Sequence, residues 1–488
     1  MLLDHEGLRY IFGLKLRSTR KEKQMSLKEL ASLTGLSPSY INEIEKGKKY
    51  PKSDKILSLT QALNIKYDDL TSVKLDSELQ PLSALLENNL LKELPLEVFG
   101  ISGQALFEIM SYEPQRFSAL VGTVLELARN FNIKVDDVFS ATLRAYLHIH
   151  NNYFPDIEEQ AKAFRQKFDF QNDKESCVRI LEEHYQYQIK EEDFGAVNPD
   201  LGKVFYFLKA EKAKKLFINT KIGTRQKTYL LARELGYSWL ELNNRFLSSL
   251  PQGIDSYEVL HNHFLASYFA SALLIERDSF VEEVKDFFAQ DIWDAKKFSD
   301  WINKFPGIRR NFVHRFSQVL PHFFDLDQLF YFRFNYKVSE KSYKVIRELH
   351  ISDLHTPHRL QSEDHYCRRW IATSVLKTLV EKGQKFMVGV QRSQFHNTES
   401  EYLCFSIAYD LNLNEDMKES VTIGIKISDK LKEKIKFWDD PKIPRRVVST
   451  FCEMCTVENC AERVAPPSVI TEQRKAQSLQ DAIDNYES

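Results

Sequence analysis

The chain has no apolar run approaching the roughly 20 residues that cross a bilayer. Its opening stretch, MLLDHEGLRYIFGLKLRSTR, puts Asp4, Glu6 and Arg9 where a secretory leader needs an unbroken apolar core. These absences argue against a membrane partner and predict a cytoplasmic protein. Cysteine is scarce: six in 488 residues, three of them between Cys452 and Cys460. That excludes a secreted disulfide framework and predicts a reduced compartment with one local thiol cluster. Net charge is also small, −2 at pH 7, which alone argues against a nucleic-acid binder. The balance is uneven, however: residues 1–75 hold 14 Lys+Arg against 9 Asp+Glu, leaving −7 for the remainder. The positive excess is concentrated at one end.

What is present is ordinary for a globular protein: 28% charged, 43% hydrophobic and a mean hydropathy of −0.40. The length predicts about three domains. In MSLKELASLTGLSPSYINEIEKGKKYPKSDKILSLTQAL, Ser26 is placed to cap a short helix with Leu27, Leu30 and Ala31 inward, and Gly35 permits the turn that ends it. Ser37 caps the next helix, Pro38 takes its first position, Ile41 and Ile44 face inward, and Gly47 closes it. A helix over 8–23 (Leu8, Ile11, Phe12 and Leu16 inward) and one carrying Ile56, Leu59 and Leu63 complete a bundle. Two short helices around a Gly-containing turn make a helix-turn-helix unit, whose second helix enters the major groove of double-stranded DNA. Ser39, Tyr40, Asn42 and Glu43 stand near its start to reach base edges, Lys46, Lys48 and Lys49 lie beyond to meet phosphates, and the capping Ser37 is counted with them as a DNA-binding candidate. The plainer alternative is a four-helix domain with a solvated charged face. Across LASLTGLSPSYINEIEKGKKYP the chain resembles the XRE repressor family, which implies a lambda-repressor-like bundle and an operator DNA partner. Leu27 stands where that family commonly has Gln, so the resemblance implies one phosphate contact fewer.

Residues 73–153 read as a helical connector, with three- and four-residue apolar spacing in QRFSALVGTVLELARNF and VDDVFSATLRAYLHIH. Further on, GKVFYFLKAEKAKKLFINT alternates as a β-hairpin and feeds a helix over 224–246 that carries ARELGY. This order resembles the ImmA/IrrE metallopeptidase-like domain, whose helix reads His-Glu-x-x-His. Residues i and i+4 share a helix face, so two imidazoles there hold zinc while the Glu acts as base. The matching positions here are Arg233, Glu234 and Tyr237, with His263 at the family's third ligand. A guanidinium has no lone pair for zinc, and a phenol is a poor ligand at neutral pH. The expectation for 154–345 is therefore a degenerate zincin-like α+β domain that is no enzyme.

In FCEMCTVENCAERVAPP, Cys452, Cys455 and Cys460 have C-x2-C-x4-C spacing, suited to a structural zinc one ligand short, with Cys367 of HYCRRW as candidate fourth. A reduced, metal-free or redox-sensitive cluster is the open alternative. Cys177 and Cys404 read as packing residues. CRRW, three strand-like segments (QKFMVGVQ, YLCFSIAYDL and SVTIGIKIS) and CAERVAPP resemble the C-terminal domain of the short-chain fatty-acyl transcriptional regulators of RamB type. The resemblance implies a metabolite-responsive regulator with an acyl-CoA effector and a small α+β sensor domain over 346–470. Between Gln384 and Arg446 the chain departs from that family's Pro-Gly-rich segment. Coenzyme A phosphates call for clustered cations, for which Arg368, Arg369, Arg445 and Arg446 are candidates; paired cations on a solvated face are the alternative. Residues 471–488 read as a loose polar tail.

The fold class expected is mainly α with an α+β C-terminal half, and the function that of a homodimeric sequence-specific regulator reading two half-sites. The rivals are a regulated peptidase that cleaves a repressor and a helix-turn-helix interaction protein of a phage or mobile element.

Overall fold

A computed structural model describes residues 5–73, 99–112, 114–130, 133–210, 214–251, 253–350, 365–396, 398, 400–411 and 414–486. The chain divides into two compact units, 1–146 with 253–257, and 147–252 with 258–488.

The first unit begins with α1 (His5–Glu22), α2 (Leu27–Thr34), α3 (Pro38–Glu45), α4 (Ser53–Leu63) and α5 (Tyr67–Thr71). Ser26 and Glu29 form a reciprocal capping box at α2, and Gly35 leaves it at φ +69. Ser37 caps α3, with Pro38 in its first turn. Gly47 closes the turn after α3 at φ +66, where a Cβ would lie 2.3 Å from the Tyr10 ring, so only glycine lets the chain pass α1. Phe12, Leu16, Leu30, Ala31, Ile41, Ile44, Ile56, Leu59 and Leu63 form one core, as the apolar spacing predicts. Then come α6 (Gly103–Tyr112), α7 (Pro114–Asn130) and α8 (Val135–Ile149), helical as expected. Residues 74–98 of the connector lie outside the described residues.

The second unit holds α9 (Pro155–Phe168) and α10 (Lys174–Tyr185), then a three-stranded sheet of β1 (Tyr187–Glu192), β2 (Tyr206–Ala210) and β3 (Lys214–Asn219) in the order β1-β3-β2. The expected hairpin is β2–β3, with β1 parallel to β3. The motif helix α11 runs Thr224–Trp239, shorter than expected, and is followed by α12 (Tyr257–Leu274), α13 (Arg277–Phe288), α14 (Ala295–Lys304) and α15 (Arg309–Phe324). Gly236 brings α11 against α12: a Cβ there would meet Ala266 O at 2.9 Å.

A six-stranded sheet follows in the order β5-β4-β8-β7-β6-β9: β4 (Leu329–Lys337), β5 (Ser342–His350), β6 (Phe386–Phe395), β7 (Glu401–Leu411), β8 (Asn414–Lys426) and β9 (Arg445–Val448). Only β6–β9 is parallel. The helix α16 (Ile371–Glu381) contributes Ala372, Val375, Leu376 and Leu379 to a core with Phe330, Phe332, Phe334, Tyr402 and Cys404. On β7, Phe405 instead meets Trp293 at 5.7 Å and Phe298 at 5.8 Å. A strand packed on both faces reads as a continuous apolar run, as YLCFSIAY does.

One expectation needs correction. The boundary between 345 and 346 falls inside β5, and β4, from the expected zincin-like domain, lies hydrogen-bonded between β5 and β8 of the expected sensor domain. Backbone pairing joins what the motifs had separated. The polar tail is helical: α17 (Ser468–Asp484) buries no residue, and Gln477–Asp481 and Gln480–Asp484 hydrogen bonds support it at four-residue spacing. Cys177 and Cys404 are buried, at 0% and 2% exposure. No helix among the described residues is long and apolar enough to cross a membrane.

Candidate functional site

The helix-turn-helix face is built on a buried ion pair that sequence reading missed. Arg20 donates from Nε to Glu45 Oε1 at 2.6 Å, from Nη2 to Oε2 at 2.8 Å and from Nη1 to Met25 O at 2.7 Å. It ties α1 to the end of α3, and the paired carboxylate raises its pKa further. On α3, Ser39 is exposed, with its Oγ 3.2 Å from Ser37 Oγ. Asn42 is half-buried, and its side chain makes no hydrogen bond among the described residues. Ser37 caps α3 as expected, its Oγ accepting from Tyr40 N at 3.2 Å. Glu43 is held by Lys49 at 2.8 Å, and Lys48 by Glu108 at 3.1 Å. Tyr40 packs on the core with Lys55 4.5 Å from its ring centroid and Lys49 at 5.6 Å. Lys55, a further cation on this face, was not among the sequence candidates. Lys46 is half-buried beside the helix end.

Glu234 and Tyr237 of the motif helix and His263 of α12 lie close together, gathered around an arginine. Arg245 donates to both oxygens of Glu234, at 2.5 and 2.7 Å, with its guanidinium 3.6 Å from the Tyr237 ring centroid. Tyr187 adds a hydroxyl 3.4 Å from the same carboxylate. Glu234 is wholly buried. Burial pushes the Tyr237 hydroxyl well up. His263 is held well below its usual value by burial and by nearby Arg233 and Arg245. Both groups are therefore neutral, and the Tyr237 hydroxyl and His263 Nδ1 share a hydrogen bond at 2.8 Å. Arg233 turns to Tyr206 and Tyr229, 5.0 and 5.9 Å from their ring centroids. Nothing in the sequence pattern marked Arg245, which follows the helix in irregular chain.

All four candidate thiols line one small cavity with Arg368, Arg369, Phe451 and Arg463. Cys367 N donates to Thr450 O at 3.1 Å and Cys452 N to His365 O at 2.9 Å, so the two distant segments are stitched side by side. Arg463 braces the loop, donating to the carbonyls of Cys452, Cys455 and Val457 at 2.9, 3.2 and 2.6 Å. Burial raises the Cys367 pKa. The donor chemistry suits a thiophilic ion, but no group of three or more His, Cys, Asp or Glu among the described residues is arranged to hold a metal.

The four candidate arginines do not form one patch. Arg368 lies at the thiol cavity with its guanidinium 4.1 Å from the Tyr343 ring centroid, a buried Nη1 without partner, and a pKa lowered by burial. Arg369 lines the same cavity. Arg445 is engaged by Glu401 at 2.9 Å and Arg446 by Glu462 at 3.1 Å.

Residues 13–75 match the family described as a helix-turn-helix domain, so the chain carries such a domain at its N-terminus. Over 60 residues it is 40% identical to the HTH-type transcriptional repressor RghR of Bacillus subtilis (strain 168). That match covers 12% of this chain and 44% of the repressor, so it spans less than half of its relative. Among solved structures, it is similar to a Mycobacterium tuberculosis transcriptional regulator, with 15% identity, a TM-score of 0.45, and coverage of 67% of this chain and 93% of that one. It is also similar to the clp gene regulator ClgR of C. glutamicum, with 38% identity, a TM-score of 0.13, and coverage of 13% and 82%.

Proposed function

We propose that the chain is a sequence-specific DNA-binding transcriptional regulator whose α3 enters the major groove. The observation that carries this reading is the pairing of a matched helix-turn-helix domain with an α3 that presents an exposed Ser39 and an Asn42 whose side chain makes no hydrogen bond among the described residues. Asparagine suits bidentate contact with adenine. Selection of bound genomic fragments by the full chain is the direct test, and recovery of no preferred sequence in dilute salt would end the proposal. Asn42→Ala is expected to cost about 1–3 kcal/mol of operator affinity and to relax specificity at one base pair. Replacing a phosphate-contacting Lys46 or Lys55 should weaken all sequences alike and reduce the salt slope by about one.

A homodimer is part of this reading. The exposed Leu120, Val124 and Leu127, spaced along one face of α7, support a self-association surface. Paired half-sites about one helical turn apart in the selected fragments are expected.

Peptide hydrolysis is not part of it. A wholly buried carboxylate bridged on both oxygens by a guanidinium is a weak and poorly reached general base, and this arrangement at Glu234 favours a retained scaffold. Acyl-CoA is proposed as effector, with Arg368 and Arg369 as phosphate partners; Arg445 and Arg446 are already neutralised. Repeating the selection with acyl-CoA esters should alter occupancy for one of them. Zinc at Cys367, Cys452, Cys455 and Cys460 is proposed as a structural ion drawing four thiols already around one cavity. One metal per purified chain, lost on Cys452→Ser, is the expected analysis, and a metal-free folded chain removes the proposal.

A further inference from the structure

Among the described residues, one group of arginines in the second unit outnumbers the carboxylates that pair with it. Arg233 of α11, Arg245, Arg310 of α15 and Arg347 of β5 all act on the same imidazole, His263, and Arg333 of β4 faces Arg347 across the strand pair. Two carboxylates meet this group. Glu234 is taken up on both oxygens by Arg245. Glu419 is taken up by Arg333 at 2.5 Å, with Tyr409 donating to it and Arg310 at 3.8 Å. Arg233 and Arg347 are left over.

Arg233 is only 9% exposed, with a buried Nε that has no partner, Arg347 is half-buried, and neither has an ion pair or hydrogen bond to a carboxylate among the described residues. Arg233 stands 5.9 Å from the Tyr229 ring centroid, and the Tyr229 hydroxyl also acts electrostatically on Arg347. The neighbouring turn of α15 adds neutral donors. Asn311 and His314 are 7% and 9% exposed, and Asn311 Nδ2 and His314 Nε2 have no partner. The His314 ring stands edge-on to Tyr331 at 5.2 Å, and Arg347 and Arg310 both act on it.

We infer that Arg233, Arg310 and Arg347, with Asn311 and His314, form an internal site for a compact anion, a phosphate or carboxylate group. A desolvated guanidinium with no acceptor is costly, and planar guanidinium forks match the oxygens of those two groups. Burial lowers the Arg347 pKa, the direction expected of a cation that lacks a counter-charge. The histidine, kept neutral by its surroundings, supplies an N–H without adding charge. The thiol cavity and its arginines take no part, and the inference stands independently of the DNA reading, since its test contains no DNA.

The test is thermal unfolding and calorimetry of the full chain with inorganic phosphate, malonate and sodium chloride at matched ionic strength. A saturable rise in melting temperature with phosphate or malonate, absent with chloride, is expected, and the responding arm identifies the group bound. Arg347→Met should lower that affinity roughly tenfold or more while melting no lower than the parent in chloride, because it removes an unanswered charge. Arg233→Gln should weaken binding in the same direction and serves if Arg347→Met folds poorly. Arg445→Gln, on β9, should leave the response intact. The inference is overturned if phosphate and malonate act only as chloride does, or if the response survives both Arg347→Met and Arg233→Gln.

Discussion

Glu45→Ala should abolish operator binding by unfolding the helix-turn-helix domain, although Glu45 touches no DNA in the proposed mode. The carboxylate is 1% exposed and receives two hydrogen bonds from Arg20. Its removal strands a buried guanidinium, at a cost of about 3–5 kcal/mol. Small domains have only about 5 kcal/mol or slightly more to lose. Amide exchange is the suitable readout: protection across α1–α4 should collapse in Glu45→Ala and persist in Asn42→Ala, although both bind DNA poorly. Unchanged protection in Glu45→Ala would mean that the apolar core alone holds α3 in place. Arg20→Met with Glu45→Met should recover much of the fold, because two apolar side chains leave no charge stranded.

A comparable loss is expected in the second unit from Glu158→Ala. Arg315 is fully buried and donates to the two oxygens of Glu158 at 2.6 and 2.7 Å. Tyr268 donates to the same carboxylate at 2.7 Å, while its hydroxyl accepts from Phe154 N at 3.2 Å. One carboxylate thus joins α9, α12 and α15. Truncation should cost about 3–5 kcal/mol, seen as a lowered denaturation midpoint for the second unit while the helix-turn-helix amides keep their protection. A midpoint equal to the parent's would show that water reaches Arg315 and replaces the lost acceptor.

The helix-turn-helix was legible because its determinants are local. Ser26 with Glu29, Gly35, Ser37 with Pro38, and Gly47 act within a few residues of one another, and the inward apolar positions follow one helical period. The Arg20–Glu45 pair was not legible, because two charges 25 positions apart look the same whether they are solvated or paired. The motif helix divides in the same way. Three-residue spacing placed Glu234 and Tyr237 on one face, but the group that meets them, Arg245, comes from irregular chain beyond the helix and follows no period. Arg445 and Arg446 misled for a geometric reason. Neighbours on a strand point to opposite faces, so adjacency in sequence could not make them one patch, and each found its own carboxylate. The long-range insertion of β4 beside β8 left no mark in the sequence, because strand pairing depends on contacts that no short window contains.

That pairing governs how the molecule must be made. As the chain leaves the ribosome, β4 appears long before β8, the strand that flanks it in the sheet order β5-β4-β8. Until then the run LFYFRFNY offers a bare, aromatic-rich edge, a surface prone to pairing with other chains. Synthesis halted within this interval should yield aggregates in place of a soluble fragment, and cellular holdases should be needed most while residues 338–413 are still emerging.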